Sequence, residues 1–452
     1  MKIFSQNIKD FFTKGTKQTV PENRKNYLAS PKQDSIVDTE FFHSQNFADK
    51  ESKIHFIGTG ILIGFIISCL ICYVSGAYLR LGYPYNTFLF NPRDAFNDFF
   101  NMYNLNVNRN PYFEPYFFHS NYYPFGNFIF YLFTFLNKGK AFSLYLVITI
   151  GSLIIINAKQ LRAGGKIQIK DVIIFSLLSF PVLYTLDRGN IEGIIFPILY
   201  LFLYFNSKND TFPSAIMLAI AISIKIYPAI FILLLISDKK YREIVLSVFF
   251  VIVLTITSLL LFENGFYANL NYVLSGFEIN SNSFLMPYYM QQGVGLYSMI
   301  KMILIKAGLI EGMNLSLLLK IYFKLIIFLS FLLSAYVIFI EKTLWRKIAL
   351  LSIAMILFPH ISCEYKMINI FLPIYFFLDE NRDHRHDLFF LILFVLMLIP
   401  NNYYFFSQIW SDSGHQDISI SVMIQGIAMI LMILTIVKDG IIRKYFINKR
   451  WQ

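Results

Sequence analysis

The hydrophobic pattern of the chain is a series of long apolar segments separated by short polar ones. The first apolar segment, residues 56–79, contains no charged residue. At a rise of about 1.5 Å per residue, a helix of that length crosses a hydrocarbon core of about 30 Å. The long apolar runs do not alternate with polar positions, so they predict helices rather than the strands of a barrel. We therefore predict an all-α, polytopic transmembrane protein.

The complete pattern predicts about ten to twelve spans, at roughly twenty residues per span. The further apolar segments are residues 125–136, 141–157, 172–186, 194–205, 215–236, 244–261, 299–307, 317–340, 348–358, 368–378, 388–399 and 418–437. The polar break at 137–140 leaves two possibilities for the region before residue 158: two spans, or a short helix followed by one span. In segment 215–236, Tyr227-Pro228 predicts two half-helices that meet near Lys225.

The polar segment between the first two apolar segments is long, aromatic and rich in asparagine. Lys50 and Lys53 precede the first span, and positive residues favour the cytoplasmic side, so we expect the N-terminus inside. The polar segment then forms an outer-face loop over residues 80–125. The predicted division is a flexible cytoplasmic tail, a transmembrane domain and a basic cytoplasmic tail, over residues 1–55, 56–437 and 438–452.

Composition supports a membrane protein and changes the interpretation of the charge. The 452 residues are 56% hydrophobic and only 15% charged, whereas soluble domains carry about 25% charged residues. A net charge of +11 would ordinarily direct attention to nucleic acid. The Lys and Arg residues gather in short loops between apolar segments, however, which is the positive-inside pattern. We therefore expect membrane lipids, and no nucleic acid, among the partners.

The three cysteines indicate packing rather than redox or metal chemistry. Cys69 and Cys72 have the spacing of a reactive pair but lie in the first apolar segment, and Cys363 stands alone. A redox or metal pair needs polar, accessible surroundings. The sequence around His360 has no metal-ligand spacing, and we find no glycine-rich phosphate loop. We predict neither a metal nor a cofactor.

Charged side chains at membrane level are costly, so each is a candidate for function. The candidates are Asp94, Asp98, Asp187, Arg188, Glu192, Lys225, His360, Glu364 and Lys366. Asp94 and Asp98 are four residues apart and would share one face of a helix. A carboxylate shielded by aromatic rings can act as a general base. The alternative is that both acids cap or solvate a helix at the membrane interface.

Arg188 and Lys225 are the candidate phosphate ligands, Arg188 through a bidentate fork and Lys225 as a point charge. For Arg188 the alternative is an internal pair with Asp187 or Glu192. Lys225 has no acid near it in the sequence, which favours function. His360 suits either packing or function. The many Tyr and Phe residues suit an interfacial belt or a surface that stacks on sugar rings.

An ordered series of short motifs resembles a known family. The motifs are Asp98-Phe99-Phe100, Asn110-Pro111-Tyr112, Tyr122-Tyr123-Pro124, Asp187-Arg188-Gly189-Asn190, Ile224-Lys225-Ile226-Tyr227-Pro228 and Phe358-Pro359-His360. Over residues 56–378 this series resembles the GT-C membrane glycosyltransferases. It is most similar to the polyprenol-phosphate-mannose-dependent mannosyltransferases of glycosyltransferase family 87. Two departures are Asp187-Arg188, where the family has a Gly-Gln pair, and Phe125, where it has a second proline.

The resemblance implies inverting transfer of a hexose, in particular mannose, from a polyprenyl-phosphate donor to a lipid-linked or glycan acceptor. It implies catalysis on the non-cytoplasmic face of a bacterial inner membrane. In that reaction Asp98 would accept the proton of the acceptor hydroxyl, with His360 as a second catalytic residue. The implied substrate-binding residues are Asp94, Arg188, Asn190, Lys225 and Tyr123. A polyprenyl phosphate is a good leaving group, so the reaction needs one base and cations for the departing phosphate.

Two other functions stay open at this point. A polymerase or ligase of the O-antigen type would carry a large outer loop late in the chain, and the late candidate, residues 263–292, is short. A transporter of lipid-linked glycans would have paired halves with broken helices in matching positions. The sequence shows one clear break, near Lys225, and no partner for it.

Overall fold

The computed structural model describes residues 49–107, 110–112, 120, 122–283, 293–310, 312–380, 386–403, 410–411, 414–415 and 419–449. Most of the predicted N-terminal tail, and parts of the predicted outer loop and of loop 263–292, lie outside the described residues. The prediction of an all-α protein is confirmed, because nearly all of the described chain is helical. The short strands Trp410–Ser411 and Gly414–His415 form one antiparallel pair.

Seventeen α-helices, α1 to α17 in chain order, make up the described part of the chain. Their bounds are Lys50–Tyr73, Asn97–Val107, Pro124–Phe133, Lys138–Gln160, Ile169–Ile173, Phe180–Arg188, Glu192–Ser207, Thr211–Ile224, Ile232–Ser237, Tyr241–Leu261, Gly265–Ser283, Leu296–Lys306, Leu315–Phe339, Leu344–Leu357, Phe371–Leu378, Asp387–Leu398 and Ser421–Lys449. Short 3-10 segments cover Pro92–Asp94, Tyr227–Phe231 and Glu364–Ile370, and π-helical turns cover Val74–Tyr78 and Ile174–Leu178.

The helices long enough to cross a membrane are fewer than the pattern predicted. Within the described residues five helices are long and apolar enough to cross a membrane, or six if one bent pair forms a single span. The five are Lys50–Tyr78, Lys138–Gln160, Tyr241–Leu261, Leu315–Phe339 and Ser421–Lys444. Five shorter apolar helices of 10–17 residues account for much of the remaining hydrophobic pattern. The predicted ten to twelve spans counted these shorter helices as full crossings.

The chain bends twice within apolar segments. The prediction of half-helices around Lys225 is confirmed: α8 ends at Ile224, Lys225 is extended, and Pro228 lies in the next 3-10 segment. A second bend, of 49°, divides the predicted span 172–186 into Ile169–Leu178 and Phe180–Arg188. Proline at the start of α6 has no N–H to continue the preceding helix, which explains the division.

The break at Lys225 frees a backbone carbonyl, which accepts a hydrogen bond from the segment directly before α3. The carbonyl of Ile224 accepts a hydrogen bond from the Tyr123 N–H at 3.3 Å, just before α3. A Cβ on Gly126 would come within 2.9 Å of the same carbonyl, so glycine is required for this close approach. Of the two possibilities for the region before residue 158, the structure shows a short helix, α3, followed by one long helix, α4.

Two local features differ between the prediction and the structure. Helix α1 begins at Lys50, six residues before residue 56, the predicted start of the transmembrane domain. Lys53 forms an ion pair with Asp387 at 2.8 Å. Asp94 and Asp98 do not share one helix, because Asp94 ends a 3-10 turn and Phe96 takes a positive φ of 61° before α2 begins. A left-handed residue cannot continue a right-handed helix.

The most buried part of the protein is α14 together with residues 364–378, where almost every side chain is inaccessible. In contrast, α10 and α13 expose many large apolar side chains, as do α1 and α4. Exposed apolar faces of this extent suit contact with lipid. Helices α7, α8 and α10 pack side by side, and α6 packs along segment Glu364–Ile370. These contacts bring the charged candidates of distant segments together.

Candidate active site

The centre of the site is an ion pair between Asp98 and Arg188. Asp98 lies in the first turn of α2, and Arg188 is the last residue of α6. The Arg188 Nη2 donates to Asp98 Oδ1 in a short contact, and the guanidinium lies 4.0 Å from the centroid of the Phe90 ring. The Arg188 partner is thus neither of the acids close to it in sequence, Asp187 and Glu192, but an acid 90 residues away.

Asn190 joins this pair to a second one. Its Nδ2 donates to Asp98 Oδ2 at 2.6 Å. Its Oδ1 accepts from the Glu192 backbone N–H at 3.1 Å and from Lys225 Nζ at 3.3 Å. Because a backbone N–H can only donate, the acceptor end of the amide must face Glu192. The donor end of the Asn190 amide is therefore fixed toward Asp98.

The second pair is formed by Lys225 and Glu192. The Lys225 Nζ lies 3.0 Å from Glu192 Oε1, and the Glu192 side chain is 0% exposed. Tyr227 Oη also donates to Oε1 in a short contact, and Asn369 Nδ2 donates to Oε2 at 3.2 Å. Both carboxylate oxygens are thus satisfied. Lys225, for which the sequence offered no acid, is paired with one that is 33 residues earlier.

A tight turn holds Arg188 and Asn190 in place. Gly189 adopts the left-handed conformation, with φ of 62°, and ends α6. A Cβ at this position would come within 2.8 Å of the Phe99 Cβ, so the turn and α2 touch at the backbone. Asp187 fastens the segment before α2 to the same turn, since its Oδ2 accepts from the Phe90 N–H at 3.1 Å and its carbonyl accepts from the Phe96 N–H at 2.6 Å.

Aromatic rings surround the cations. Lys225 Nζ lies 4.9 Å from the centroid of Tyr122 and 5.1 Å from that of Tyr365. Lys366 Nζ lies 4.5 Å from the centroid of Tyr227. Rings at these distances stabilise a cation and keep water from it.

Asp94 and Tyr123, two of the predicted binding residues, lie beside the site and make backbone contacts to it. The Asp94 carbonyl accepts from Arg188 Nη1 at 3.4 Å. The Tyr123 N–H donates to Ile224, directly before Lys225. Their predicted roles in binding substrate stay predictions.

His360 lies in the turn after α14, and its described hydrogen bond is to Ser281 on α11, with Nε2 and Oγ 3.0 Å apart. Its ring packs edge-on against Phe323, with centroids 5.2 Å apart. Burial lowers the pKa of His360 to about 4, with smaller contributions from the charges of Lys366 and Lys301. His360 is therefore neutral at pH 7 and near Lys366, but in the described contacts it does not touch Asp98 or Asn190.

The Asn110-Pro111-Tyr112 motif has a structural role. The Asn110 Oδ1 accepts from the Tyr112 N–H at 3.0 Å, and its Nδ2 donates to the Glu263 carbonyl at 2.7 Å and to Asn269 Oδ1 at 3.0 Å. These bonds fasten the segment after α2 to the junction of α10 and α11. Within the described residues, no group of three or more His, Cys, Asp or Glu side chains is arranged to hold a metal ion.

The remaining charged candidates, Glu364 and Lys366, lie on the 3-10 segment that packs against α6. Glu364 is 0% exposed and accepts from Asn402 Nδ2 at 3.2 Å and, in a short contact, from Ser421 Oγ. Lys366 donates to the Ile361 carbonyl at 3.1 Å. Glu192 and Lys366 were named as candidates from sequence but not assigned to the binding set. For Glu192 the available signal was an acid at the first turn of an apolar helix, two residues after Asn190.

A sequence model of glycosyltransferase family 87 matches residues 118–362, which is more than half of the chain. The chain belongs to glycosyltransferase family 87. Comparisons with curated proteins and with solved structures find no match. The family-87 match includes Arg188, Asn190, Glu192, Lys225 and His360.

The membership confirms the resemblance noted in the motifs, and this family-87 protein is a membrane glycosyltransferase. Asp98 and Lys366 lie outside the matched segment. Asp98 is tied to that segment by direct contacts with Arg188 and Asn190. Lys366 is tied to it by its contact with Tyr227.

Proposed function

We propose that this family-87 glycosyltransferase moves a hexose, in particular mannose, from a polyprenyl-phosphate donor to a lipid-linked or glycan acceptor. The observation that carries the proposal is the connected network of Asp98, Arg188, Asn190 and Lys225. A candidate base and two cations within one partly buried cluster are the groups that transfer from a phosphate leaving group requires.

In the proposed reaction Asp98 accepts the proton of the acceptor hydroxyl as the oxygen attacks the anomeric carbon. The bond between that carbon and the donor phosphate oxygen breaks, and the phosphate leaves with the electron pair. A new glycosidic bond forms with inversion. A carboxylate has about four lone-pair sites, so Asp98 can hold its contacts with Arg188 and Asn190 and still accept a proton. Arg188 and Lys225 direct N–H donors at the departing phosphate.

The proposal keeps His360, Asp94 and Tyr123 in supporting roles. A neutral His360 near Lys366 can hydrogen-bond to the donor without adding charge. Asp94 and Tyr123 flank the cluster and would contact the sugar or the acceptor. The proposed location is the bacterial inner membrane, with the site on the outer face, because Lys50 and Lys53 favour a cytoplasmic N-terminus.

The test is a transfer assay with full-length protein in liposomes. Labelled polyprenyl-phosphate mannose, polyprenyl-phosphate glucose and nucleotide-activated forms of both sugars are offered with a pool of lipid-linked acceptors. We expect addition of a single hexose from one of the polyprenyl-phosphate donors and none from the nucleotide sugars. Transfer from a nucleotide sugar would contradict the proposed donor, and transfer of whole repeat units would favour the O-antigen-type polymerase or ligase.

A transporter of lipid-linked glycans remains the third function that the sequence left open. The second broken segment, at residues 169–188, adds a feature that transporters also have. Family membership favours transfer over transport. Movement of an intact lipid-linked glycan across the liposome membrane, without a new glycosidic bond, would reverse that preference.

A further inference from the structure

The charges of the central network cancel in pairs. Arg188 is paired with Asp98, and Lys225 is paired with Glu192. Each pair is joined to the other through Asn190. Two cations and two carboxylates therefore leave the network without a surplus positive charge. If a donor phosphate bound to these four residues only, its negative charge would meet cations that are each already paired with a carboxylate.

Lys366 differs from Arg188 and Lys225 in its partners. Its side chain is buried, with 6% of the residue exposed. Its Nζ donates to the Ile361 carbonyl at 3.1 Å and lies 4.5 Å from the centroid of the Tyr227 ring. In the part of the chain that the structure describes, no carboxylate forms an ion pair with Lys366. It is a buried cation held by a carbonyl oxygen and an aromatic face.

The position of Lys366 joins it to the central network. Tyr227, whose ring faces the Lys366 ammonium, donates its hydroxyl proton to Glu192. The neighbouring Tyr365 ring faces Lys225 at 5.1 Å. Burial lowers the pKa of Lys366 to about 8, so most molecules still carry this charge at pH 7. Burying an ammonium without a counter-charge is unfavourable, and a bound anion would offset that cost.

We propose that Lys366 supplies the positive charge that balances the donor phosphate, while Arg188 and Lys225 keep their acids as partners. This inference rests on the proposed function. The phosphodiester of a polyprenyl-phosphate sugar carries one negative charge, which matches one surplus lysine. The released polyprenyl phosphate carries more charge than the donor, as phosphate monoesters approach two negative charges at pH 7. Lys366 therefore binds the phosphate more strongly as the sugar leaves, which favours the transition state.

The experiment measures binding of two lipids by full-length protein in nanodiscs. The probes are a short-chain polyprenyl phosphate and the uncharged polyprenol of the same length, so their ratio reports recognition of the phosphate. We expect Lys366→Met to weaken binding of the phosphate by about 10- to 100-fold, the range for a lost hydrogen bond to a charged group. Binding of the polyprenol should stay unchanged. Lys366→Arg, which keeps the charge, should stay within roughly threefold of the wild type on the same reasoning.

Lys347→Met is the matched control. Lys347, in the first turn of α14, is buried to a similar degree, with 7% exposed. Unlike Lys366, it is paired with a carboxylate, that of Asp238 at 3.0 Å. This variant should bind both lipids as the wild type does. Lys366→Gln serves as the second neutral variant if Lys366→Met does not fold, and thermal unfolding identifies folded protein.

The outcomes separate the inference from the proposed function. Unchanged phosphate binding in a folded Lys366→Met or Lys366→Gln protein would overturn the role of Lys366 and leave the donor proposal standing. Equal binding of phosphate and polyprenol by the wild type would overturn both. Loss of binding for both lipids in every Lys366 variant, with lower unfolding temperatures, would show a structural role and also overturn the inference.

Discussion

Two buried glutamates, Glu192 and Glu364, lie in polar clusters that share the 3-10 segment Glu364–Ile370 but have different partners. Both side chains are 0% exposed. Glu192 accepts from the cation Lys225, besides Tyr227 and Asn369. Glu364 accepts from the neutral groups Asn402 and Ser421. One cluster contains charge pairs, and the other contains no described cation.

The difference shows that burial alone does not identify a functional acid. Burial raises the pKa of Glu364 to about 8, although the Ser421 hydrogen bond opposes the shift. Glu364 is therefore mostly protonated at pH 7 and acts as a neutral link between α17 and Asn402, which in turn donates to the Phe88 carbonyl. Glu192 instead fixes an ammonium group beside the candidate base. We infer that the identity of the partner separates a structural acid from one that contributes to the proposed site.

The largest effect on turnover is expected at Asp98, the proposed base in the charged cluster. Asp98→Asn keeps a group of the same shape but removes the proton acceptor, so turnover should fall by about 10²- to 10⁴-fold. Asp94→Asn, at the acid outside α2, should stay within a few-fold of the wild type. Both variants are measured for initial rate and for membrane insertion. Full activity of inserted Asp98→Asn would remove Asp98 from the mechanism.

The paired substitution Glu192→Gln and Glu364→Gln tests the comparison directly. Glu192→Gln removes the counter-charge of Lys225, and we expect the catalytic efficiency with the donor to fall by roughly 10- to 100-fold, as for a broken charge-assisted bond. Glu364→Gln replaces a mostly neutral acid by a neutral amide and should change the catalytic efficiency with the donor by less than about twofold. Equal losses in the two variants, at equal stability, would mean that the two clusters do not differ in function.

The pH dependence sharpens the contrast between the clusters. Lys366 loses its proton as pH rises through about 8, since burial lowers its pKa and the opposing charge of Glu192 is offset in part by Lys225. The other titratable neighbours are Tyr227, Cys363 and His360. The ratio kcat/KM for the donor should therefore decline above pH 8, because this ratio reports the free enzyme. Lys366→Arg should remove that decline, and a decline of the same shape in Lys366→Arg would assign it to another group.

The smallest effect on activity is expected in the neutral cluster. Asn402→Ala leaves Glu364 Oε2 and the Phe88 carbonyl without their donor, which should lower the free energy of unfolding by about 1–3 kcal/mol. The rate per folded molecule should be unchanged. Thermal unfolding in detergent and the transfer rate, measured on the same preparation, check both parts. A large loss of rate with normal stability would give this cluster a direct part in catalysis.

Sequence was sufficient for the fold class and for the features that depend on local chemistry. Pro228 identified the break at Lys225, and the motifs identified the family over most of the membrane part. The bend before α6 was missed, although Pro181 is its local signal. The pattern did not separate the five described helices long enough to cross a membrane from the five shorter apolar ones, because both kinds are strongly apolar.

The pairing of the charges could not be predicted in the same way. Arg188 and Lys225 find their acids 90 and 33 residues away, and such contacts depend on how α2, α6, α7 and α8 pack. Asp94 and Asp98 were separated by a single left-handed residue, Phe96, a conformation that nothing in its residue type favours. Local chemistry therefore selected Asp98, Arg188 and Lys225, which the structure joins in one network through Asn190, but did not give their partners.

The close contact between Gly189 and Phe99 also bears on how the protein is assembled in the membrane. Helix α2 is synthesised before the hairpin of α6 and α7, yet its first turn packs against the glycine turn of that hairpin. Because chains fold from the N-terminus during synthesis, we infer that α2 cannot complete this contact until the hairpin has been made. Asp98 thus meets Arg188 only after both parts are in place. We therefore expect the proposed base to be in place only when this late step of biogenesis is complete.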